Sequence, residues 1–112
     1  MKKIEAVIRP AKLEEIKDEL NKYNIHGITI SQVMGCGMQK GRKEYYRGTE
    51  VTLNLLAKVK IEIVIQDSQV EDVIKIISKE AKTGEVGDGK IFVYNVEEVI
   101  RIRTGEKGEN AV

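Results

Sequence analysis

Several residue types are scarce in this sequence, and each shortage argues against a class of protein. Its 112 residues include one cysteine, one histidine, one proline and no tryptophan. A single cysteine cannot form an intrachain disulfide, which fits a reducing compartment. Cys36 and His26 together are too few for a zinc site. A catalytic Cys–His pair is much rarer than a buried thiol and a turn histidine, so we expect no catalysis from them.

Neither a surplus of charge nor a long apolar run is present. The chain has 19 basic and 18 acidic residues, a net charge of +1 that would not draw it to nucleic acid or membranes. No apolar run approaches the roughly 18 residues of a membrane span, and "MKKIEAVIRP" lacks the apolar region of a signal peptide. We therefore expect one compact, soluble, cytoplasmic domain over residues 1–112, with a modest core that favours oligomerisation.

The two halves of the chain repeat one pattern. Residues 3–8 ("KIEAVI") and 60–65 ("KIEIVI") share five of six residues. The same offset aligns two helical apolar stripes, Leu13, Ile16 and Leu20 with Val70, Val73 and Ile77. A capping box in "SQVE" (68–71) is predicted to open the second helix, and "GITISQV" (27–33) and "IFVYNV" (91–96) are predicted strands. A short extra strand is expected after residue 96. The pattern predicts an α+β fold, the ferredoxin-like double β-α-β unit.

One face of the predicted sheet has no helix to cover it. In this plan both helices pack on the same face, which leaves Glu5, Val7, Glu62 and Val64 on the other. Either this face is solvated with scattered apolar side chains, or it packs against other copies of the chain. We favour an oligomer.

The connection between the second and third strands is unusually long. It runs from about residue 37 to about residue 52, and such loops in compact domains are usually functional. Its basic residues could touch phosphates: Lys40, Arg42, Lys43 and Arg47. An RNA-binding ferredoxin-like module is therefore one alternative. It would need aromatic residues on the central strands, and "KIEIVIQ" (60–66) has none.

A glycine-rich segment, "GEVGDGK" (84–90), could hold an anion. It is not a P-loop, because Ile91 replaces the Ser or Thr that binds Mg²⁺ and a helix precedes it rather than a strand. Backbone N–H groups and Lys90 could still bind phosphate, although a plain tight turn explains the glycines equally well. Arg101 and Arg103 are predicted on one side of an extended segment and could join the same site. A nucleotide-binding protein and a small phosphate-handling enzyme both remain open.

Four stretches carry a resemblance to a known family: "YRGTE" (46–50), "KVKIEIV" (58–64), "TGEVGDGKIFV" (83–93) and "VIRIRTGE" (99–106). Over essentially its full length the chain resembles the PII nitrogen-regulatory signal-transduction proteins. The resemblance implies a non-enzymatic homotrimer that binds ATP or ADP between subunits and 2-oxoglutarate together with Mg-ATP. It also implies three functional segments: a T-loop (37–55), a nucleotide-binding loop (82–90) and a C-terminal segment (101–112).

The resemblance also assigns residues to ligands. The implied nucleotide contacts are Val7, Thr29, Gly35, Met38, Val64, Gly87, Asp88, Gly89, Lys90, Arg101 and Arg103. Gln39 would ligate Mg²⁺, and 2-oxoglutarate would contact Gln39, Lys40, Gly41 and Lys58. Partner contacts would come from Arg42, Tyr45, Tyr46, Arg47 and Thr49. The partner would be an ammonium transporter, which would bring the protein to the membrane, or glutamine synthetase or another nitrogen-metabolism target, and not nucleic acid.

The sequence departs from the family pattern at a few positions. The tyrosine that many bacterial members uridylylate falls at Val51, so we expect no control by that modification. Met38 replaces a frequent arginine near the phosphates, and Ala57 replaces a common proline at the end of the loop. Thr49 lies where some members carry a phosphorylated serine.

Overall fold

The computed structural model describes residues 1–36, 42–46, 49–53 and 55–112 of the chain. The strands are β1 (Lys2–Ile8), β2 (Thr29–Cys36), β3 (Arg42–Tyr46), β4 (Thr49–Leu53), β5 (Leu55–Ile65) and β6 (Gly89–Asn95). The helices are α1 (Leu13–Lys22) and α2 (Val70–Ala81). Short 3₁₀ turns occupy Pro10–Lys12, Asp67–Gln69 and Gly108–Ala111.

Four strands form one antiparallel sheet in the order β2-β5-β1-β6, which confirms the predicted ferredoxin-like fold. At one end of the sheet Ile8 lies opposite both Val59 and Gly89. At the other end Lys2 lies opposite Ile65 and Asn95. We call these the turn end and the terminal end, because the glycine-rich segment and the chain terminus lie there respectively.

The hydrophobic core lies between one face of this sheet and the two helices. Side chains alternate between buried and half-buried along β1 and much of β5, as a strand period of two requires. The core residues with 2% or less exposure are Ile4, Ala6, Ile8, Ile16, Leu20, Ile61, Ile63, Ile65, Val73 and Ile77. The repeat positions Ile16 and Val73 are both fully buried, as the internal symmetry predicts.

The start of the second helical segment differs from the prediction. A 3₁₀ turn, Asp67–Gln69, precedes α2, and the capping box joins Gln66 to Gln69 rather than Ser68 to Glu71. Gln66 has an extended backbone (φ −73°, ψ 152°), and its backbone N–H donates to the Gln69 side chain at 3.1 Å. The prediction was wrong because the 3₁₀ turn moves the capped end two residues earlier than the apolar stripe indicates.

The long connection after β2 contains a second sheet. β3 and β4 pair as an antiparallel hairpin, with Arg42 opposite Leu53 and Tyr46 opposite Thr49. β2 and β5 also extend beyond their predicted ends, as far as Cys36 and Leu55, because they pair with each other there. The predicted roles of Met38, Gln39, Lys40, Gly41 and Arg47 lie outside the described residues. Those of Arg42, Tyr45, Tyr46 and Thr49 fall on strands whose backbone alone is described.

In the part of the chain that the structure describes, no helix has the length and apolar character needed to cross a membrane.

Candidate functional site

The glycine turn (residues 83–89) joins α2 to β6 and is organised around the carboxylate of Asp88. The backbone N–H groups of Thr83 and Gly84 donate to Asp88 Oδ2 at 2.8 and 2.9 Å. The Thr83 hydroxyl donates to Oδ1 and also accepts from the N–H of Glu85 at 3.1 Å. The bond from the Thr83 hydroxyl, aided by those from the two N–H groups, holds the pKa of Asp88 well below its usual range. Asp88 is thus an ionised acceptor inside the turn.

Arg9 fastens this turn to the end of β1. Its Nε donates to Asp88 Oδ1 at 3.3 Å, and its Nη2 donates to the carbonyl of Val86 at 2.9 Å. Arg9 follows the last residue of β1 directly, so its position is fixed by the strand. Arg9, Thr83, Gly84 and Asp88 together form what we call the Asp88 cluster.

Gly89 brings the turn into close contact with β1. It has φ +108°, and a Cβ atom at this position would lie 1.8 Å from the carbonyl oxygen of Val7. No side chain fits there without moving the backbone, so the glycine is required by both conformation and space. The start of β6 is therefore held tightly against Val7.

Lys58 is a buried cation beside the turn. The residue is only 8% exposed, and its Nζ donates to the carbonyl of Gly87 at 2.6 Å. Burial lowers the pKa of Lys58, and the nearby Arg9 guanidinium lowers it further, whereas Asp88 opposes the shift. An ammonium group has three donors, and an anion at this position would offset its cost of burial.

Predicted ligand residues from four strands meet at this end, on the face of the sheet without helices. Val7 lies opposite Lys90 in the β1–β6 ladder. Gly35 of β2 approaches Lys58 so closely that a Cβ atom on it would be 3.3 Å from Lys58 Cγ. With Gly87 and Gly89 these residues surround one cationic, glycine-rich region. The structure thus places the turn, Lys58 and Lys90 at one end of the sheet, and the ligands assigned to them stay a prediction.

Other predicted nucleotide residues do not join this group within one chain. Val64 lies four residues along β5 from Lys60, the partner of Val7, which is about 13 Å at the usual rise of a strand. Thr29 lies opposite Glu62, between these two positions. The set of implied contacts is therefore spread along the sheet rather than gathered at one point.

Arg101 and Arg103 come six and eight residues after β6, which ends with Asn95 at the terminal end of the sheet. The predicted extended segment and extra strand are wrong, because residues 102–104 form a turn and only an isolated bridge joins Ile100 to Lys107. The N–H of Gly105 donates to the carbonyl of Arg101 at 2.7 Å, and Arg101 Nη1 pairs with Glu106 at 3.3 Å. Short-range hydrogen bonds within this segment outweigh the β-propensity of "IRIR".

The helix-free face also carries a paired set of charges. Glu5 and Glu62 lie directly opposite each other, and each forms an ion pair with a lysine on the other strand: Lys3–Glu62 at 2.7 Å and Lys60–Glu5 at 3.3 Å. A hydrogen bond from Tyr94, followed by the Lys60 contact, lowers the pKa of Glu5. These pairs offset the repulsion that two facing carboxylates would otherwise cause.

A shallow cavity of about 380 Å³ lies on the opposite face of the sheet, between α2 and β6. Its lining includes Ile8, Ile74, Ile77 and Ala81. The lining also includes Asp88, Gly89 and Lys90, so the cavity borders the glycine turn from the helix-covered side of the sheet. The described residues contain no group of three or more His, Cys, Asp or Glu that could hold a metal ion.

Sequence reasoning did not identify Arg9 and Thr83 as parts of the site. Thr83 had a local signal, since a threonine before Gly84 and five residues from Asp88 is typical of a side-chain-bonded turn. Arg9 had none, because it is 79 residues from Asp88 in the chain.

The fold and this region together define a small ferredoxin-like domain with a candidate site for an anionic ligand. A family profile described as "Nitrogen regulatory protein P-II" matches residues 1–106. Two curated proteins named nitrogen regulatory protein P-II, from Rhodospirillum rubrum and Azospirillum brasilense, are 54% and 56% identical to this chain. Each alignment covers the whole of this chain and the whole of the relative. A solved structure, Arabidopsis thaliana PII bound to citrate, is 44% identical, with a TM-score of 0.81, and covers 99% of this chain and 91% of its own.

The chain belongs to the P-II nitrogen regulatory protein family. This membership confirms the resemblance, and it makes the chain a regulatory protein rather than an enzyme.

Proposed function

We propose that this protein is a trimeric, cytoplasmic sensor that binds ATP or ADP between its subunits. It binds 2-oxoglutarate together with Mg-ATP and controls a nitrogen-metabolism target through residues 37–55. The main support is the cationic region at the turn end, where the glycine turn, buried Lys58 and Lys90 come together.

The placement of the arginines supports a site shared between subunits. Lys90 is the second residue of β6, at the turn end, whereas Arg101 and Arg103 come after the strand has ended at the terminal end. The turn of one subunit and the arginines of another could hold the same phosphates. The helix-free face offers a surface for such packing, since Phe92 and Tyr94 on it are 43% and 46% exposed.

Lys58 is the best candidate in the described residues for holding a carboxylate. An anion that accepts from its ammonium group would replace or join the Gly87 carbonyl as its partner. The Arabidopsis relative, a tricarboxylate-bound PII by its description, is consistent with carboxylate binding in this fold. Mg²⁺ would be held by Gln39 and by the phosphates of ATP, which would let 2-oxoglutarate bind only when the nucleotide is present.

The target would be an ammonium transporter, glutamine synthetase or another nitrogen-metabolism protein. The paired strands β3 and β4 give residues 42–46 and 49–53 a backbone that could dock on such a partner. Ligand binding at the base of β2 and β5 would shift the population of conformations of this loop. Val51 leaves the loop without the tyrosine that many relatives uridylylate, so ligands would be the main signal.

Calorimetry tests the effector assignment. The wild-type protein should bind 2-oxoglutarate with Mg-ATP but not without nucleotide, and Lys58→Met should weaken 2-oxoglutarate binding by about tenfold or more through loss of a charged hydrogen bond. Lys75→Met, a matched change on the exposed surface of α2, should leave binding unchanged. Equal 2-oxoglutarate binding by wild type with and without nucleotide would contradict the proposed coupling.

Mixing two inactive variants tests whether the site is shared. Lys90→Ala and Arg103→Ala should each bind ATP poorly when alone. After unfolding and refolding together in equal amounts, about a quarter of all sites should combine an intact Lys90 with an intact Arg103 and recover binding. Calorimetry or nucleotide retention on a filter measures this recovery. No recovery, with trimers formed, would mean that the two residues do not serve one site from different subunits.

A further inference from the structure

Asp88 has a role in this site that differs from ligand contact. We infer that Asp88, together with Thr83 and Arg9, is a positioning residue that holds the glycine turn in the conformation that binds phosphate. This inference rests on the proposed nucleotide function, and it assigns Asp88 to the support of the site rather than to the nucleotide contacts.

The hydrogen bonds of Asp88 leave little capacity for a ligand. Its Oδ1 accepts from the Thr83 hydroxyl and from Arg9 Nε, and its Oδ2 accepts from the N–H groups of Thr83 and Gly84. A carboxylate offers about four acceptor positions, and four protein donors already use them. An ionised carboxylate in direct contact with a polyphosphate would also be repelled, whereas here its charge is paired with Arg9.

The turn depends on such support because of its composition. Gly84, Gly87 and Gly89 have φ values of +89°, +102° and +108°, which glycine adopts easily but also leaves easily. Three glycines among seven residues make the unconstrained segment costly to order. Asp88 offsets this cost by joining both ends of the turn, and Arg9 then fixes the turn relative to Val7 and Lys58. The carbonyl of Gly87, which Lys58 contacts, lies inside the segment that is held in this way.

Nucleotide affinity compared with adenosine affinity tests the inference. In Asp88→Asn, ATP and ADP should bind about tenfold more weakly or worse in calorimetry, because charged hydrogen bonds that order the turn are lost. The affinity for adenosine, measured by NMR titration, should change much less, because adenosine has no phosphate. Thr83→Val should resemble Asp88→Asn, and Thr83→Ser, which keeps the hydroxyl, should lose much less ATP affinity. The matched control is Asp72→Asn, whose carboxylate accepts from Tyr23 at 2.7 Å between the two helices.

An unchanged ATP affinity in Asp88→Asn would overturn the inference, as would an equal loss for ATP and adenosine, which a general structural defect would cause. Hydrogen exchange on the ligand-free protein tests the role of Asp88 independently of whether the protein binds nucleotide. Amides of residues 83–90 should exchange faster in Asp88→Asn than in wild type or Asp72→Asn, and unchanged exchange would also overturn the inference. A wild-type protein that binds no ATP would instead overturn the proposed function.

Discussion

The two faces of the four-stranded sheet use the same strands in different ways. On the helix-covered face, Ile4, Ile61 and Ile63 are almost fully buried and contact α1 and α2. The residues next to them on each strand lie on the helix-free face and form ion pairs: Lys3, Glu5, Lys60 and Glu62. Since neighbouring residues point to opposite faces, each strand serves the core and the exposed face at once.

This difference separates stability from recognition. Burial of apolar surface on the covered face stabilises the single chain, and that face has little scope for polar function. Exposed ion pairs contribute little to stability, so the other face can use charge for ligands and for contacts between subunits. The turn end is where the two functions meet, because Ile8 is buried while Arg9, next in the chain, contacts Asp88.

The largest change in the free energy of unfolding should come from a cavity created beneath the helix-covered face. Ile77→Ala removes a fully buried side chain of α2 and should lower the free energy of unfolding by about 2–5 kcal/mol. Urea unfolding of the purified protein measures this loss. Ser31→Ala on the helix-free face should change the free energy of unfolding by at most about 0.5 kcal/mol. Similar losses in the two variants would mean that the core is not confined to one face.

A smaller, pH-dependent change in stability should come from the helix-free face. The pKa of Glu5 is lower in the folded protein than its ordinary value of 4.5, because Tyr94 and then Lys60 bind the ionised carboxylate. The folded protein therefore binds fewer protons than the unfolded chain between the two pKa values, and stability falls as the pH decreases through this range. Above pH 4.5 the contribution of Glu5 is fully present.

Glu5→Gln should remove this part of the acid dependence. Unfolding free energies of wild type and Glu5→Gln, measured at a series of pH values from neutral downward, should converge as the pH falls below 4.5. Glu14→Gln, on the exposed surface of α1, is the matched control and should keep the wild-type slope. A difference between wild type and Glu5→Gln that stays constant at every pH would show that the Glu5 contacts do not depend on ionisation.

Local and repeated patterns made much of the fold predictable. The alternation in "KIEAVI" and "KIEIVI" predicted both central strands, and the offset between the halves predicted that Ile16 and Val73 occupy matching buried positions. The helix-free face followed from the same alternation once both helices were placed on one side. In the candidate site, the anion-binding character of residues 84–90 was visible because glycines and a lysine are local signals.

Competition between alternative local structures accounts for the failures. The capped end of α2 was misplaced because a 3₁₀ turn competes with the α-helix, and an apolar stripe does not distinguish the two at their boundary. The pairing of β3 with β4 was not predicted, because residues 42–46 show little apolar periodicity and their strand depends on its partner. The Arg101–Arg103 segment was misjudged because "IRIR" alternates like a strand, whereas hydrogen bonds from Gly105 and to Glu106 close it into a turn.

The sequence by itself determined the class of fold, the position of the core and the chemical character of the glycine turn. All three depend on residue periodicity or on neighbours in the chain, which can be read without coordinates. Only the tertiary structure decided that Arg9 binds Asp88 and that Lys58 is buried against the carbonyl of Gly87. These facts depend on strand register and on contacts between residues up to 79 positions apart, and no local pattern encodes them.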